Sequence, residues 1–447
     1  MHIKFRAKLI ALAGERGLIS SSGISGAIRV ANVALGVVTT ILLARLLGVD
    51  GLGQYSFAFA FVSLLTIPAQ FGLPALVVRE TSRFIADGDW PQVNALWRWA
   101  NGFTLSSAII LSVLAGVIAW AFLGGSYLFW ILLLSFACVP FQALGNLAGA
   151  SLRGLGRTLL GQLPESVVRP GLFAAFLLLG LLLPGGTGAA QAMAFQLLAS
   201  VLALAAGLVL VVKFAPFGLL RGSKGAVILK VQRRSIIPLG LASGALVITQ
   251  SVGLVVLGVV STEAEVALMR LAVLGGSVVA LGLAAVNMVT GPRIAQLYHK
   301  RDYHALQSVL TRSSRLVLAT ALLAAAFLVF FGGAAFSFAV GERLDNIDAL
   351  LAIVVFGQLV NAFTASSGTF LTMTGHERLM AKSSLALLAA TAVGSFVLSP
   401  VLGALGAALA LSVSLSFYNL FLWWAIIKLE GIDTSALGLN FFRGGIK

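Results

Sequence analysis

Long apolar stretches alternate with short polar loops along the whole chain. A helix needs roughly 20 apolar residues to cross about 30 Å of hydrocarbon, and a backbone in lipid must satisfy its own hydrogen bonds. Each stretch is therefore predicted to be a membrane-spanning helix. The pattern gives twelve spans, at residues 23–47, 54–78, 100–122, 127–150, 160–183, 189–212, 236–260, 265–290, 314–336, 347–372, 380–400 and 403–428.

Basic residues concentrate in every second loop. The connection 213–235 carries six Lys and Arg side chains, whereas the loops around Asp50, Glu263 and Glu342 are acidic. Cytoplasmic loops of membrane proteins carry an excess of Lys and Arg, so the basic loops and both termini are predicted to be cytoplasmic. An even number of spans agrees with this placement.

The loops also indicate two similar halves. RFIADGDWPQVNAL (83–96) follows the second span and QLYHKRDYHALQSVL (296–310) the eighth, while Gly-containing turns at 151–162 and 370–382 follow the fourth and tenth. Because six spans separate the copies, both have the same orientation, as in parallel-repeat transporters. The predicted fold is all-α, with twelve transmembrane helices in two six-helix bundles related by a pseudo-two-fold axis along the membrane normal.

This pattern divides the chain into five parts. Residues 1–22 are polar and basic, unlike a signal peptide, and are predicted to form an amphipathic segment on the cytoplasmic surface. An N-terminal bundle at 23–212, a cytoplasmic linker at 213–235, a C-terminal bundle at 236–428 and a cytoplasmic tail at 429–447 follow.

Composition excludes several other classes of protein. Hydrophobic residues make up 59% of the chain and charged residues 10%, outside the range of soluble domains. The net charge of +15 is dispersed over loops, where orientation and anionic lipids account for it, so no nucleic-acid partner is expected. No phosphate-binding loop, metal-spaced histidine cluster or nucleophile motif is present; we expect no cofactor and no enzymatic activity.

Four arginines lie within or near the ends of spans: Arg29, Arg45, Arg169 and Arg270. A charged group at the bilayer centre costs about 2.5–3.5 kcal/mol on insertion scales and normally faces a cavity or a partner. The guanidinium fork suits phosphate and keeps its charge. These residues are therefore candidate ligands of an anionic substrate.

Arg29 is followed on one helical face by Asn32, Gly36 and Thr40, which suggests a wet surface facing a cavity and makes Asn32 a further candidate. Alternatively, Arg29 reaches back to the cytoplasmic headgroups. Arg45 has the position of an interface anchor as well as of a ligand.

Arg270 has three possible roles near the outer end of the eighth span. It could bind substrate, pair with Glu263 or Glu265, or extend outward to the headgroups.

The fifth span contains a second charged cluster. Glu165 and Arg169 are four residues apart, which predicts an ion pair on one helix. Pro164 and Pro170 remove backbone hydrogen bonds and predict a broken or hinged helix. Glu165 and Pro170 are accordingly candidates for a gate or an ion-coupling site.

Residues 42–89 resemble the first two helices of bacterial polysaccharide flippases, including the Wzx-like O-antigen flippases, of the multidrug/oligosaccharidyl-lipid/polysaccharide exporter superfamily. The turn LRGLGRT (152–158) is similar too. The shared residues in the first region are Leu47, Gly48, Gly51, Gly53, Tyr55, Gly72, Leu73 and Arg79.

This resemblance implies two six-helix bundles around a central cleft that opens alternately to each side. It implies a bacterial inner-membrane protein that moves an undecaprenyl-pyrophosphate-linked oligosaccharide between leaflets, with other polysaccharide-assembly membrane proteins as potential partners. It also implies that Arg29 and Arg270 line the cleft. Peptidoglycan-precursor flippases usually have two additional helices.

Three alternatives remain open from the sequence. A multidrug exporter of the same fold would need membrane carboxylates for cationic drugs, and Glu165 is the one available. A membrane glycosyl polymerase or ligase would be expected to carry a long outer loop with catalytic residues. A non-transporting scaffold for glycosyltransferases would leave the buried arginines without a purpose.

Overall fold

The computed structural model describes the backbone of residues 2–182, 187–215 and 233–439, and the side chains of 24–182, 187–215, 244–287 and 289–439. Within these ranges the fold is all-α. The helices are α1 (His2–Gln70), α2 (Leu73–Ala86), α3 (Trp90–Leu123), α4 (Tyr127–Gly154), α5 (Arg169–Gly180), which follows a π-helical turn (Pro164–Val168), α6 (Ala189–Phe214), α7 (Arg233–Val260), α8 (Glu263–Val279), α9 (Leu281–His299), α10 (Tyr303–Val340), α11 (Ile347–Phe363), α12 (Ser367–Met373), α13 (Glu377–Leu402) and α14 (Ala404–Glu430).

Helix α1 contains two membrane crossings joined at a glycine. Gly48 has φ +67°, a backbone conformation that glycine adopts without steric cost. Before this kink Ser25 lies beside Gln162, and after it Ile67 packs against Gly244. The kink itself lies beside Glu342, at the opposite end of the molecule.

Three other predicted spans are not single continuous helices. The fifth begins with the π-helical turn, as its two prolines predict. The span predicted at 265–290 passes from α8 to α9 at Ala280, with Glu263–Asn287 still one crossing, and the span predicted at 347–372 bends by 46° between α11 and α12. Within the described ranges eight helices are long and apolar enough to cross a membrane, or nine with the bent pair, and Ile24–Gln70 counts as one of them.

The helices form two bundles that share α1. In the first half α4 packs against α3 and α6; in the second, α13 packs against α7 and α14, and α11 against α10 and α14. Helix α1 contacts α4 and α5 on one side and α7, α8 and α9 on the other. It therefore lies at the interface of the halves.

The cytoplasmic-predicted ends of the eighth, tenth and twelfth spans meet at one end of the molecule. After the eighth, tenth and twelfth spans, Tyr298 donates to Glu430 (3.1 Å), and His376 lies 3.5 Å from the same carboxylate. Burial, and then the charge of Glu430, raise the pKa of Tyr298 to about 12, so its hydroxyl stays a donor at neutral pH. We call this end the basic side and the end at Gly48 the acidic side.

The segment after α14, residues 431–439, packs into the second bundle on the basic side. Asp433 is fully buried. One carboxylate oxygen accepts from Trp423 Nε1 (2.7 Å) and the N–H of Ser435 (2.8 Å), and the other from the N–H of Leu439 (2.6 Å). The Gln307 side chain bonds both backbone groups of Asp433.

The same segment closes the bend between α11 and α12. The N–H of Ala436 donates to the carbonyl of Phe363 (3.0 Å) at the end of α11, and Thr434 bonds Ser367 at the start of α12 (2.7 Å). Residues 431–439 are thus a structural part of the bundle, although the sequence suggested only a cytoplasmic tail. Residues 440–447 lie outside the described ranges.

We expect Asp433→Asn to lower the free energy of unfolding by about 1–3 kcal/mol, the cost of an unsatisfied buried polar group. In either orientation of the new amide, its NH2 group faces a backbone or indole N–H, so one donor is placed against another donor and a hydrogen bond is lost. Thermal unfolding in detergent, followed by tryptophan fluorescence, measures the change. Asp345→Asn, at an exposed position, is the control; equal midpoints for the two variants would contradict the assigned role of residues 431–439.

Candidate anion-binding cavity

A cavity of about 670 Å³ lies between the two halves. The first half supplies most of its wall, and α7 of the second half supplies Gly244 and Val247. Its polar lining consists of Ser63, Thr66, Gln70, Gln142, Asn146, Arg153 and Arg169.

One face of α1 presents open hydrogen-bonding groups to this cavity. Ser63, Thr66 and Gln70 follow each other at helical spacing on the second crossing of α1. Thr66 and Gln70 are only 6% and 8% exposed, yet Thr66 Oγ1 and Gln70 Nε2 have no partner among the described residues. Since buried polar groups are nearly always paired, both atoms are available to a ligand.

Helix α4 adds a basic group and two amides. Gln142 donates weakly to Ser200 (3.4 Å), and Asn146 lies one turn further along. Half-buried Arg153 donates to the carbonyl of Gly161 (3.3 Å), where Gly149 and Gly161 approach each other too closely for a side chain. The amide side chains can donate or accept hydrogen bonds, which suits them to hydroxyl-rich ligands as well as to anions.

Arg169 forms the predicted ion pair with Glu165. Its Nε lies 2.9 Å from Glu165 Oε2, and the side chains are 21% and 15% exposed. The other carboxylate oxygen lies against Gly145 and has no partner among the described residues. Arg169 reaches the cavity wall, so it can contact a ligand while Glu165 balances its charge.

Asn32 satisfies a carbonyl that the proline in this span leaves free. Pro170 has no N–H for the carbonyl of Ser166, one turn earlier. Asn32 Nδ2 donates to that carbonyl instead (2.8 Å). The structure therefore places Asn32 as a bridge between α1 and the broken fifth span, and this contact uses one N–H of the amide that the sequence suggested for substrate.

Arg270 lies half-buried on α8, facing the first half. Tyr55 is within electrostatic reach of both Arg270 and Arg169, which brings arginines from both halves near one buried phenol. Glu265, one of the partners that the sequence leaves open for Arg270, accepts from the N–H of Ala404 at the start of α14. Within the described ranges no salt bridge involves Arg270 or Glu263.

The face of α1 that carries Arg29 turns towards the fifth span. Ser25 and Asn32, on either side of it, contact residues 162–166. Arg29 itself is exposed, and no ion pair within the described ranges includes it, so it remains available to an anion. The predicted wet face does not extend to Thr40, which is buried and bonds its own helix.

Arg45 lies at the acidic side, away from the cavity. Its guanidinium donates to the carbonyls of Ala339 (2.6 Å) and Phe338 (3.3 Å) in the last turn of α10, where free carbonyls and the helix dipole favour a cation. The structure therefore does not bring Arg45 together with Arg169 and Arg153. It joins the two halves instead.

The two halves are closed against each other at the acidic side. Gly53 packs against the backbone of Glu263, and Gly258 against the ring of Phe57, so closely that neither glycine has room for a Cβ. The cavity lies towards the other end, where Gly72 and Pro74 at the start of α2 contribute to its wall.

Several cavity residues escape analysis of the sequence alone. Arg153 belongs to a basic loop that the positive-inside rule already explains, and Thr66 and Gln70 are ordinary polar residues of a span. The spacing Ser63, Thr66, Gln70 was the available signal, since it places three polar groups on one helical face.

Known structures share this architecture. The chain is similar to an inward-facing multidrug resistance MATE family transporter of the MOP superfamily, with 14% identity over 91% of this chain and 98% of that one and a TM-score of 0.68. It is similar to the lipid II flippase MurJ in an inward closed conformation, with 13% identity over 89% of this chain and 87% of that one and a TM-score of 0.69. A MOP superfamily transporter from Pyrococcus furiosus gives 15% identity, coverages of 92% and 94% and a TM-score of 0.59.

The fold is thus that of MOP superfamily transporters, an all-α membrane protein of two bundles. A comparison with curated sequences finds no significant match. The polysaccharide biosynthesis protein family matches residues 19–298, more than half of the chain, and the protein belongs to this family.

Replacing Asn32 with Leu should lower the free energy of unfolding by about 1–3 kcal/mol, because the Ser166 carbonyl loses its donor. Pro170→Ala restores an N–H one turn after Ser166. The combined variant should therefore lose less stability than the sum of the single changes. Thermal unfolding of all four proteins measures the coupling, and additive losses would contradict the bridge.

Gly53→Ala should open the acidic side, because a methyl group cannot fit against the backbone of Glu263. Spin labels at Ala121 and Asp345, exposed positions of different halves on that side, report the separation by pulsed electron paramagnetic resonance. We expect longer distances in the variant. Gly36→Ala is the matched control, since a Cβ there meets nothing within 4 Å; an unchanged distribution in Gly53→Ala would refute this account of closure.

Proposed function

We propose that the protein is a flippase for an undecaprenyl-pyrophosphate-linked oligosaccharide and that it is not an enzyme. The observation that carries the proposal is the cavity between the halves, lined over the described residues by Arg153 and Arg169, by amides and hydroxyls, and by no carboxylate. Membership of the polysaccharide biosynthesis protein family and a fold shared with a lipid II flippase support it.

The arginines have the chemistry that a diphosphate requires. Arg153 and Arg169 would bind phosphate oxygens through charge-assisted hydrogen bonds. Arg29, exposed on α1, would meet the anion at entry, and Arg270 would meet it deeper between the halves. The open groups of Thr66 and Gln70 would bind sugar hydroxyls, and the polyprenyl chain would remain in the bilayer.

Closure at the acidic side implies a direction of access. If the basic loops are cytoplasmic, as their charge predicts, this state receives substrate from the cytoplasmic leaflet of a bacterial inner membrane. Separation at Gly53 and Arg45 would then expose the cavity to the other side. The π-helical turn, which contains Glu165, together with Pro170 at the start of α5, is the proposed hinge or ion-coupling site.

A multidrug exporter of the same fold remains the second candidate, since a MATE transporter shares the architecture. A cationic drug needs a carboxylate in the cavity. Glu165 has one oxygen without a described partner, but its other oxygen is bound to Arg169 and the cavity lining is basic. The charge of the lining therefore favours an anionic substrate. A scaffold for other polysaccharide-assembly proteins would use neither the basic cavity lining nor the carboxylate of Glu165.

The variant Arg153→Gln/Arg270→Gln should lose affinity for a polyprenyl diphosphate by roughly 100-fold, because hydrogen bonds to charged groups contribute about 1.5–3 kcal/mol each. This pair leaves the Glu165–Arg169 ion pair intact. Native mass spectrometry of the purified protein, titrated with polyprenyl diphosphate and with the uncharged polyprenol, measures retention of each.

The control is Arg98→Gln/Arg378→Gln, which removes the same charge at exposed positions outside the cavity. It should bind like the wild type and restore polysaccharide export in a strain lacking the protein, whereas the cavity variant should not. Equal retention of diphosphate and polyprenol by the wild type, or unaltered export by the cavity variant, would refute the proposal.

A further inference from the structure

A second concave site lies on the second half, between α9 and α10. It is a groove of about 580 Å³ whose wall is mainly apolar. Val289 and Leu316, which line it, are 62% and 57% exposed. Neither helix covers these side chains, so the groove opens sideways, at a level where membrane-spanning helices face lipid acyl chains.

One end of the groove is basic. Arg293 and Arg312 line it from opposite helices, with the hydroxyl groups of Thr290 and Ser308 beside them. Both arginines are exposed, and no salt bridge within the described ranges involves either. Their guanidinium groups therefore form a positively charged site, with one group from each helix, at the end of the apolar groove.

The two arginines lie at similar depth. Arg293 is six residues before the end of α9 at His299, and Arg312 is nine residues after the start of α10 at Tyr303. At about 1.5 Å per residue, they are about 9 and about 14 Å above the loop that joins the helices. Arginine side chains at such depths extend towards the headgroup region.

We propose that this groove binds an anionic phospholipid from the leaflet on the basic side. The phosphate would lie between Arg293 and Arg312, where each guanidinium can donate two parallel hydrogen bonds, and one acyl chain would lie along Val289 and Leu316. Basic pockets between helices on the cytoplasmic side of membrane proteins bind anionic headgroups in this way.

The groove is separate from the cavity between the halves. Among the residues that the structure describes, its lining comes from α9 and α10, and none of these residues lines the cavity. The lipid site consequently does not depend on which substrate the cavity carries. A bound lipid would join α9 to α10, and the far end of α10 receives the hydrogen bonds of Arg45.

Native mass spectrometry tests this site with phosphatidylglycerol, with phosphatidylcholine of the same chains, and with inorganic phosphate. The wild type should retain one phosphatidylglycerol in preference to phosphatidylcholine. Arg293→Gln/Arg312→Gln should weaken that retention roughly 30-fold, given the contribution of about two basic residues at a lipid surface. Inorganic phosphate should not displace the lipid.

Three further variants decide between explanations. Arg98→Gln/Arg378→Gln, which removes equal charge elsewhere, and Arg153→Gln/Arg270→Gln, which alters the cavity wall at Arg153 and the interface of the halves at Arg270, should both keep the lipid. Ala285→Trp, which fills the groove and leaves both arginines in place, should lose it. Circular dichroism establishes that each variant is folded. Equal retention of the two phospholipids by the wild type, retention by the arginine variant, or retention by Ala285→Trp would overturn the proposal.

Discussion

Helix breaks inside a membrane must be satisfied by the protein, because lipid offers no hydrogen bonds, and the rest of this structure depends on that constraint. Asn32 donates to the carbonyl that Pro170 leaves free. At the bend between α11 and α12, Ala436 donates to Phe363. Arg45 binds the last carbonyls of α10. The two breaks and the end of α10 are therefore also contacts between segments distant in sequence.

The same constraint sorts the arginines. A charge in this setting needs a carboxylate, a set of carbonyls, or access to water and ligand. Arg169 pairs with the carboxylate of Glu165, and Arg45 binds two backbone carbonyls. Arg29, Arg153 and Arg270 have no carboxylate partner within the described ranges, and they are the groups left for an anion. Sequence position groups Arg29, Arg45, Arg169 and Arg270 as candidate ligands and leaves Arg153 in a basic loop, whereas their partners in the structure separate the five into structural and available groups.

The features of the fold and the cavity that the sequence predicts are those that depend on residues close together in the chain. Hydrophobic periodicity gave the all-α membrane fold, and local spacing gave the Glu165–Arg169 ion pair and the break at Pro164 and Pro170. The bend around Thr364 contains no proline and has distant partners in Ala436 and Asn287, so no local pattern predicts it. The partner of Asn32 lies 134 residues away, and Arg153 becomes a cavity residue only through helix packing. The hydropathy of a sequence does not report tertiary contacts of this kind.

The contacts between the halves differ in kind from those within them. At the acidic side the halves meet through glycine against backbone at Gly53 and through the exposed guanidinium of Arg45, whose carbonyl partners can exchange it for water. The ring of Phe57 also packs against Gly258 there, and Phe57 shares a buried apolar cluster with Leu254 and Leu257 of α7, so separation exposes apolar surface and has a cost that substrate binding must offset. Inside the second bundle Asp433 is fully buried, with both carboxylate oxygens bonded, and releasing it would leave the indole N–H of Trp423 without its acceptor. Motion should therefore concentrate at the interface of the halves and leave each bundle intact, which is the mechanical requirement for opening one cavity to two sides in turn.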